Sequence, residues 1–289
     1  MRRFEESLVK RLVLFLIFVS WTHSSRTSWV LVDDWSAGQP FDTAQWTFER
    51  GFLRNSEEQY YTGGAPDNFA VGPDGLRLIG RSERVANAAY KKGAVDWRRA
   101  KPEAQYTSAS LVSVKAWRNA KIEIVASVRG GNGAWPAIWL RSPNRNGFGE
   151  IDLMEHLGRE PETVHSTVHY GTSASDLKII TADRTIIGFQ GKDITYSAEF
   201  TPEKIIINVN GEPMLEMDRR IRIGKIEPLQ QSFQLVLNLA LGGAWAGPID
   251  VAALPATMTI KSIKVWEWLP SIGPEAAAIL GECCSSLQR

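Results

Sequence analysis

Within Glu150-Ile151-Asp152-Leu153-Met154-Glu155, three carboxyls are interleaved with three apolar side chains. Successive side chains on a β-strand alternate faces, so Glu150 and Asp152 share one face and Ile151 takes the other. Glu155 is out of phase by one residue. A β-bulge, with Leu153 or Met154 as the inserted residue, returns it to the acidic face. Acidic residues are depleted in strands, and three on one face repel one another unless protons are shared. The chemistry such a face offers is attack and proton transfer at an acetal carbon. Retaining hydrolysis of a glycosidic bond takes two carboxyls about 5–5.5 Å apart, one as nucleophile and one as acid/base. Glu150 and Glu155 would be that pair, with Asp152 between them holding a proton or orienting Glu150. The competing reading is a solvated acidic strand face with no chemistry.

Three further stretches carry residues suited to the same task. Trp135 and Trp139 are spaced i, i+4 in Gly133-Ala134-Trp135-Pro136-Ala137-Ile138-Trp139-Leu140, which places them on one face of a strand. Indole faces pack well against the C–H faces of a sugar ring, and they pack equally well in a core. His165 and His169 repeat that spacing in the run after the acidic one. With no third ligand in view, they read as part of an acid–base site and not as a metal centre. The run Asn238-Leu239-Ala240-Leu241 ends in Gly242-Gly243, a flexible turn that presents Trp245.

The elements that must position these residues are strands. Short apolar or alternating runs recur from Trp29 onward, among them Leu76 to Ile79, Ala109 to Val114, Lys121 to Val128, Ile205 to Val209, Phe233 to Ala240 and Met258 to Trp266. Gly, Asn, Asp and Pro punctuate the gaps, and Asn210-Gly211 between two apolar runs predicts a two-residue hairpin. No helical period persists beyond about two turns, so the pattern predicts an all-β sandwich or barrel. Arg84 to Glu103 is basic and weakly patterned, and is predicted to be a surface loop. The chain's 289 residues suit one large β domain. A net charge of +1 gives no reason to expect nucleic acid or acidic partners. The only cysteines, Cys283 and Cys284, are adjacent and near the C-terminus, so no disulfide framework spans the body.

The first 24 residues read as a secretory signal, with Arg2, Arg3, Lys10 and Arg11 ahead of the apolar run Leu12 to Trp21. That run is too short to span a bilayer comfortably. Residues 25–269 then form the folded domain, and 270–289 an appended tail.

Taken together and in order, these stretches resemble glycoside hydrolase family 16, in its laminarinase-like branch. Asn55-Ser56-Glu57-Glu58-Gln59-Tyr60-Tyr61-Thr62 is similar to the family's N-x-E-x-Q-Y-Y-T, Tyr106-Thr107-Ser108 to Y-T-S, and Trp135-Pro136-Ala137-Ile138-Trp139 to W-P-A-x-W. Glu150, Asp152 and Glu155 match the bulged E-x-D-x-x-E; Val164 to His169 resembles H-G-T-x-H, and Asn238 to Trp245 resembles N-L-A-x-G-G-x-W. The resemblance implies a concanavalin A-like β-jelly-roll sandwich with a glucan cleft. It implies Glu150 as nucleophile, Glu155 as acid/base and Asp152 as their assistant, with Asn55, Trp135, Trp139, His169 and Trp245 binding substrate.

The activity implied is a secreted, retaining endo-hydrolysis of internal β-1,3-glucosidic bonds in laminarin-type or mixed-linkage glucans. The alternatives are a glucan-recognition protein without activity, a transglycosylase and a galactan hydrolase. The expected partner is the polysaccharide, with no nucleic acid, no membrane after signal cleavage, no cofactor, and a monomeric state. The sequence departs from the family at Ser110, where many members carry a cleft arginine, at Arg118-Asn119-Ala120-Lys121, at Ser166, and at Lys261. Many members hold calcium with an aspartate at that last position. Lysine offers no oxygen ligand, so no metal is expected, and Lys261 is expected to reach Asp33 or Asp34 instead.

Overall fold

Alternation sets the strands. In Ala120–Arg129 every second side chain is buried along most of its length, the signature of a strand with one face on a core. In Ala134–Arg141 both faces are buried until the last residue, so something packs on the second face as well.

The computed structural model describes residues 27–143, 147–173 and 175–270; the predicted signal segment, residues 271–289 of the tail and both cysteines lie outside them. The strands run in chain order as β1 (Thr27–Ser36), β2 (Trp46–Phe48), β3 (Arg50–Gly51), β4 (Gln59–Thr62), β5 (Phe69–Gly72), β6 (Gly75–Ala86), β7 (Glu103–Ser108), β8 (Ser110–Trp117) and β9 (Ala120–Arg129). They continue as β10 (Ala134–Arg141), β11 (Phe148–Glu155), β12 (Thr163–Gly171), β13 (Lys178–Thr185), β14 (Ile194–Phe200), β15 (Lys204–Val209), β16 (Glu212–Asp218), β17 (Phe233–Leu241) and β18 (Ala256–Pro270).

Residues Leu31–Glu267 form one compact unit. Of the second unit, the described residues are Thr27–Val30 and Trp268–Pro270, where the Trp29 and Trp268 rings meet edge to face at 4.7 Å.

Two sheets make the sandwich. The smaller has seven strands in the order β13-β12-β11-β10-β17-β8-β2. The larger has 11, running β16-β15-β14-β9-β18-β6-β7-β4-β3, with β1 on β18 and β5 on β6. Along the two strand orders, pairing is antiparallel except between β4 and β7. The main core lies between the sheets, with Ile122, Ile124, Tyr196, Ile207 and Met258 from one and Ile138, Ile151, Leu153, Met154, Val168, Leu237 and Leu239 from the other. This is the all-β jelly-roll sandwich expected. The hairpin between β15 and β16 turns at Asn210 and Gly211, both at positive φ of 54° and 81°, as a two-residue type I′ connection requires.

Three elements differ from expectation. Arg84 to Glu103 is not wholly a loop. β6 runs to Ala86, the buried Asn87 side chain donates to the carbonyls of Arg98 and Lys101, and Trp97 packs on Phe52. β13 escaped the sequence pattern because it is a sheet edge, with Ile179 and Ile180 exposed. Lys261 does not reach Asp33 or Asp34. It sits at a bulge in β18, its carbonyl accepts from the Ala37 amide, and the lysine facing Asp34 is Lys264, with Nζ 3.9 Å from Oδ1.

Candidate active site

The second buried face of β10 belongs to a cleft over the seven-stranded sheet. β10 pairs Ile138 with Met154 and then Trp139 with Asp152, so Leu153 is the residue without a partner. The same irregularity separates Asp152 from Glu155 against β12. Leu153 and Met154 both turn into the main core, and the extra residue, Leu153, returns Glu155 to the acidic face. Registers across the sheet then set the neighbours. Glu150 stands between Arg141 and His169, Asp152 between Trp139 and Thr167, and Glu155 between Ala137 and His165.

Arg54, Asn55, Glu57, Trp135, Ala137, Trp139, Phe148, Glu150, Asp152, Glu155, His169, Leu177 and Asn238 line the cleft. Most of the predicted residues are therefore brought together. Trp135 and Trp139 are on the cleft side, outside the main core, but they are only 7% and 9% exposed. Each is held by its indole N–H: Trp135 Nε1 donates to Glu155 Oε1 at 3.0 Å, and Trp139 Nε1 to Asn238 Oδ1 at 2.6 Å. Trp245 is not among the lining side chains. It stands behind Trp135, edge-on at 5.2 Å, and its other neighbour is His165 at 5.1 Å. Arg159 donates to its carbonyl. His165 shares the acidic face by register, yet its ring is engaged elsewhere, with Nδ1 2.7 Å from Asp183 and Nε2 3.1 Å from Glu160.

The three acids differ in surroundings. Burial pushes the Glu150 carboxyl up, but His169, Arg54 and Arg141 all oppose that rise. Asp152 is almost fully buried, its Oδ2 makes no hydrogen bond, and burial reinforced by the Glu150 charge drives it well above the usual carboxylate range. Burial, then Asp152, raises Glu155 well above that range too, with the Trp135 N–H pulling the other way. The arginines beside Glu150 make it the member best kept as an anion, while burial favours the protonated forms of Asp152 and Glu155. Two carboxyls in environments that push them apart is the arrangement acid–base catalysis uses. Among the described residues, Glu150, Asp152 and His169 are also the one group whose ligand-type atoms gather within 4.8 Å. His169 Nε2 lies 3.3 Å from Asp152 and 3.7 Å from Glu150, a spacing that proton exchange within the trio also requires.

Beside the predicted Asn55, Arg54 and Glu57, to which the sequence reading gave no role, complete the walls. Asn55 and Ser56 adopt consecutive left-handed conformations, φ 55° and 53°, in a turn that brings Arg54 and Glu57 into the cleft. Glu57 accepts from Gln59, Tyr61 and Asn55. The signal for Glu57 was present in the motif Asn55 to Thr62, whose Glu57 and Gln59 are both buried polar residues.

Residues 78–260 match the model of the glycosyl hydrolases of family 16. A β-glucanase of Rhodothermus marinus is 31% identical over 272 residues, spanning 83% of this chain and 86% of that protein. The solved endo-β-1,3-glucanase of Pyrococcus furiosus is similar with a TM-score of 0.71 and 26% identity, over 85% of this chain and 97% of that one. A structure from work on endo-acting O-glycanases, which prominent members of the human gut microbiota express to initiate mucin breakdown, is similar with a TM-score of 0.77 and 28% identity. It covers 83% of this chain and 91% of that one. With more than half its length matched and that identity spread over most of both sequences, the chain belongs to family 16 of the glycosyl hydrolases and is a glycoside-cleaving enzyme.

Proposed function

We propose that the enzyme cuts internal β-1,3-glucosidic bonds of laminarin-type or mixed-linkage glucans with retention of configuration. One observation carries the reading: the bulge at Leu153 sets Glu155 on the face of Glu150 and Asp152 at the floor of an open cleft. Glu150, ionised among its cations, attacks the anomeric carbon. Glu155 gives its proton to the departing glycosidic oxygen, so the sugar is left as an ester of Glu150. Water then attacks the same carbon, Glu155 takes its proton back, and the Glu150 carboxylate leaves. Asp152 holds a proton beside Glu150 and keeps the charge of the trio low. The glucanase relatives support the substrate class. The likeness to the O-glycanase structure supports a second reading, cleavage of a mucin-type O-glycan by the same residues.

Residues 1–24 are proposed to direct export, residues 25–269 to form the catalytic domain, and 270–289 to be a tail. Incubation with a β-1,3-glucan, a mixed-linkage glucan, xyloglucan, agarose and a mucin-type O-glycan, followed by sizing of products, tests the substrate. The β-1,3-glucan is expected to yield a ladder of oligosaccharides. A ladder from the O-glycan alone would replace this reading with the second.

Two substitutions are expected to move the alkaline limb of kcat/KM in opposite directions. As pH rises Asp152 and Glu155 lose their protons in coupled steps, each charge raising the other, so Asp152→Asn lets Glu155 ionise at lower pH and the alkaline limb moves down. The Trp135 N–H stabilises the Glu155 anion, so Trp135→Phe moves that limb up. Profiles superimposable on the parent in both variants would remove Glu155 as the group that sets the limb.

A further inference from the structure

We propose that Arg54 is a specificity-determining residue that binds an uncharged hexose unit on the β17 side of the acidic trio. The inference rests on the glycosidase reading above and extends it to one end of the cleft. The Arg54 guanidinium lies 5.2 Å from the Trp139 ring centroid and 5.4 Å from that of Tyr61. One terminal nitrogen is fixed: Nη2 donates to Glu49 Oε2 at 2.7 Å and to Ser110 Oγ at 3.2 Å. Ser110 in turn donates to Glu49 at 2.7 Å, and Arg141 donates to the other Glu49 oxygen at 2.9 Å. Among the described residues Nη1 makes no hydrogen bond. Nε does no more than approach Glu57, at 3.9 Å. The side chain lines the cleft, so these donors remain for a ligand.

A closed ring of contacts makes the position rigid. Trp139 donates to Asn238, Asn238 donates to the Tyr61 hydroxyl at 3.1 Å, and that hydroxyl donates to Glu57 at 3.2 Å. Arg54 lies beside Glu57 and returns to the face of Trp139, closing the circuit. The backbone behind it is pinned as well, with the Ala244 amide donating to Asn55 O and the Glu58 amide to Leu241 O. Gly243 cannot take a side chain here, because a Cβ would stand 2.9 Å from that Asn55 oxygen. The guanidinium covers a face of Trp139 that would otherwise be a stacking platform, so this end of the cleft recognises sugar by hydrogen bonds from a fixed planar cation. Ser110 leaves the space that the guanidinium fills.

The charge balance selects the ligand. Arg54 and Arg141 share the Glu49 carboxylate, and Glu57 and Glu150 are next along the cleft wall. That set has no surplus positive charge to hold a sulfate or a uronate, whereas hydroxyl and ring oxygens need only donors.

Neutral oligosaccharides of two to six units, taken from whichever polymer the parent enzyme cleaves, test the assignment. Arg54→Met keeps the stem and removes the donors. It is expected to lose roughly 10- to 100-fold in kcat/KM, mostly as a rise in KM, once the chain is long enough to reach the subsite. The loss should grow with chain length and be smallest, though not absent, for the shortest cleaved oligosaccharide, because Arg54 also helps keep Glu150 ionised. Arg54→Lys, which retains charge but not the fork, is expected to fall between, and it serves if the methionine variant does not fold. A sulfated oligosaccharide of the same backbone should not be cleaved better than its neutral counterpart by the parent. An unchanged kcat/KM at every length, an equal loss at every length, or a preference for the sulfated chain that Arg54→Met abolishes would each overturn the proposal. Failure of the parent to cut β-1,3-glucan would count against the linkage reading alone, because the length series is run on the polymer it does cut.

Discussion

Glu155→Gln is expected to lose about 10²–10⁴-fold in kcat on a natural glucan, and Glu150→Gln to lose more still. The two losses have different characters, and the difference identifies the roles. An aryl glycoside with a good leaving group departs without protonation, so Glu155→Gln should form its Glu150 ester at a near-normal rate. It then stalls, because the second step needs a base. A burst of phenol followed by slow turnover is the expected trace. Azide needs no base and should restore turnover, releasing a glycosyl azide of retained configuration. Glu150→Gln should give neither burst nor rescue, since no ester can form. The fold should survive both changes. A Glu155 carboxyl held above its ordinary range means that the folded state binds its proton more tightly than the unfolded state does. That contribution to stability is full below the unfolded pKa and is lost as pH rises through the folded one. At pH 7 the ionisable group is therefore a cost to folding, and Glu155→Gln should melt no lower than the parent. Equal losses on natural and activated substrates, or wild-type turnover in either variant, would sink the assignment.

The acidic strand was legible because periodicity exposes the phase error at Glu155, and one bulge is the economical repair. Sequence could not choose between Leu153 and Met154 as the inserted residue. The ladder with β10 makes that choice, and both side chains enter the core. The tryptophans were legible as a pair on one face, but what they do was not. Their indole N–H groups bond Glu155 and Asn238, partners 20 and 99 residues away in the chain. Ser110 stood out as a missing arginine. The arginine that fills its space comes from a turn 56 residues earlier, and no local pattern announces such an exchange. β13 was invisible because an edge strand carries too little buried surface to imprint an alternation.

Arg219 and Arg220 illustrate the same limit, and they lead to the largest expected change in stability. In sequence they are two adjacent arginines after an aspartate. In the fold Arg220 is exposed and pairs with Asp218, while Arg219 is fully buried with no carboxylate within ion-pair distance among the described residues. Its guanidinium instead gathers carbonyls from three separate segments. It donates to Thr201 O and the Asn119 side chain at 2.8 Å, to Leu229 O at 2.7 Å and to Gln231 O at 3.1 Å, and also to Arg118 O. The Phe200 and Phe233 rings lie 5.4 and 5.9 Å from it. Burial, then the Arg118 charge, lowers its pKa to about 10, so it stays charged at neutral pH. Arg219→Met preserves the volume and strands those carbonyls, each unsatisfied group costing about 1–3 kcal/mol. With some relaxation and water entry, a total loss of roughly 3–5 kcal/mol is expected. Arg219→Lys should lose part of that, because an ammonium has three donors and cannot span the segments. Arg220→Met, one residue away, should lie within about 0.5 kcal/mol of the parent. Urea denaturation checks all three: the midpoint should fall sharply for Arg219→Met at an unchanged slope. The kcat of the folded protein should not move, since Arg219 does not line the cleft. A midpoint for Arg219→Met that coincides with that of Arg220→Met would show that water can replace the guanidinium, and that the clamp does not hold these segments together.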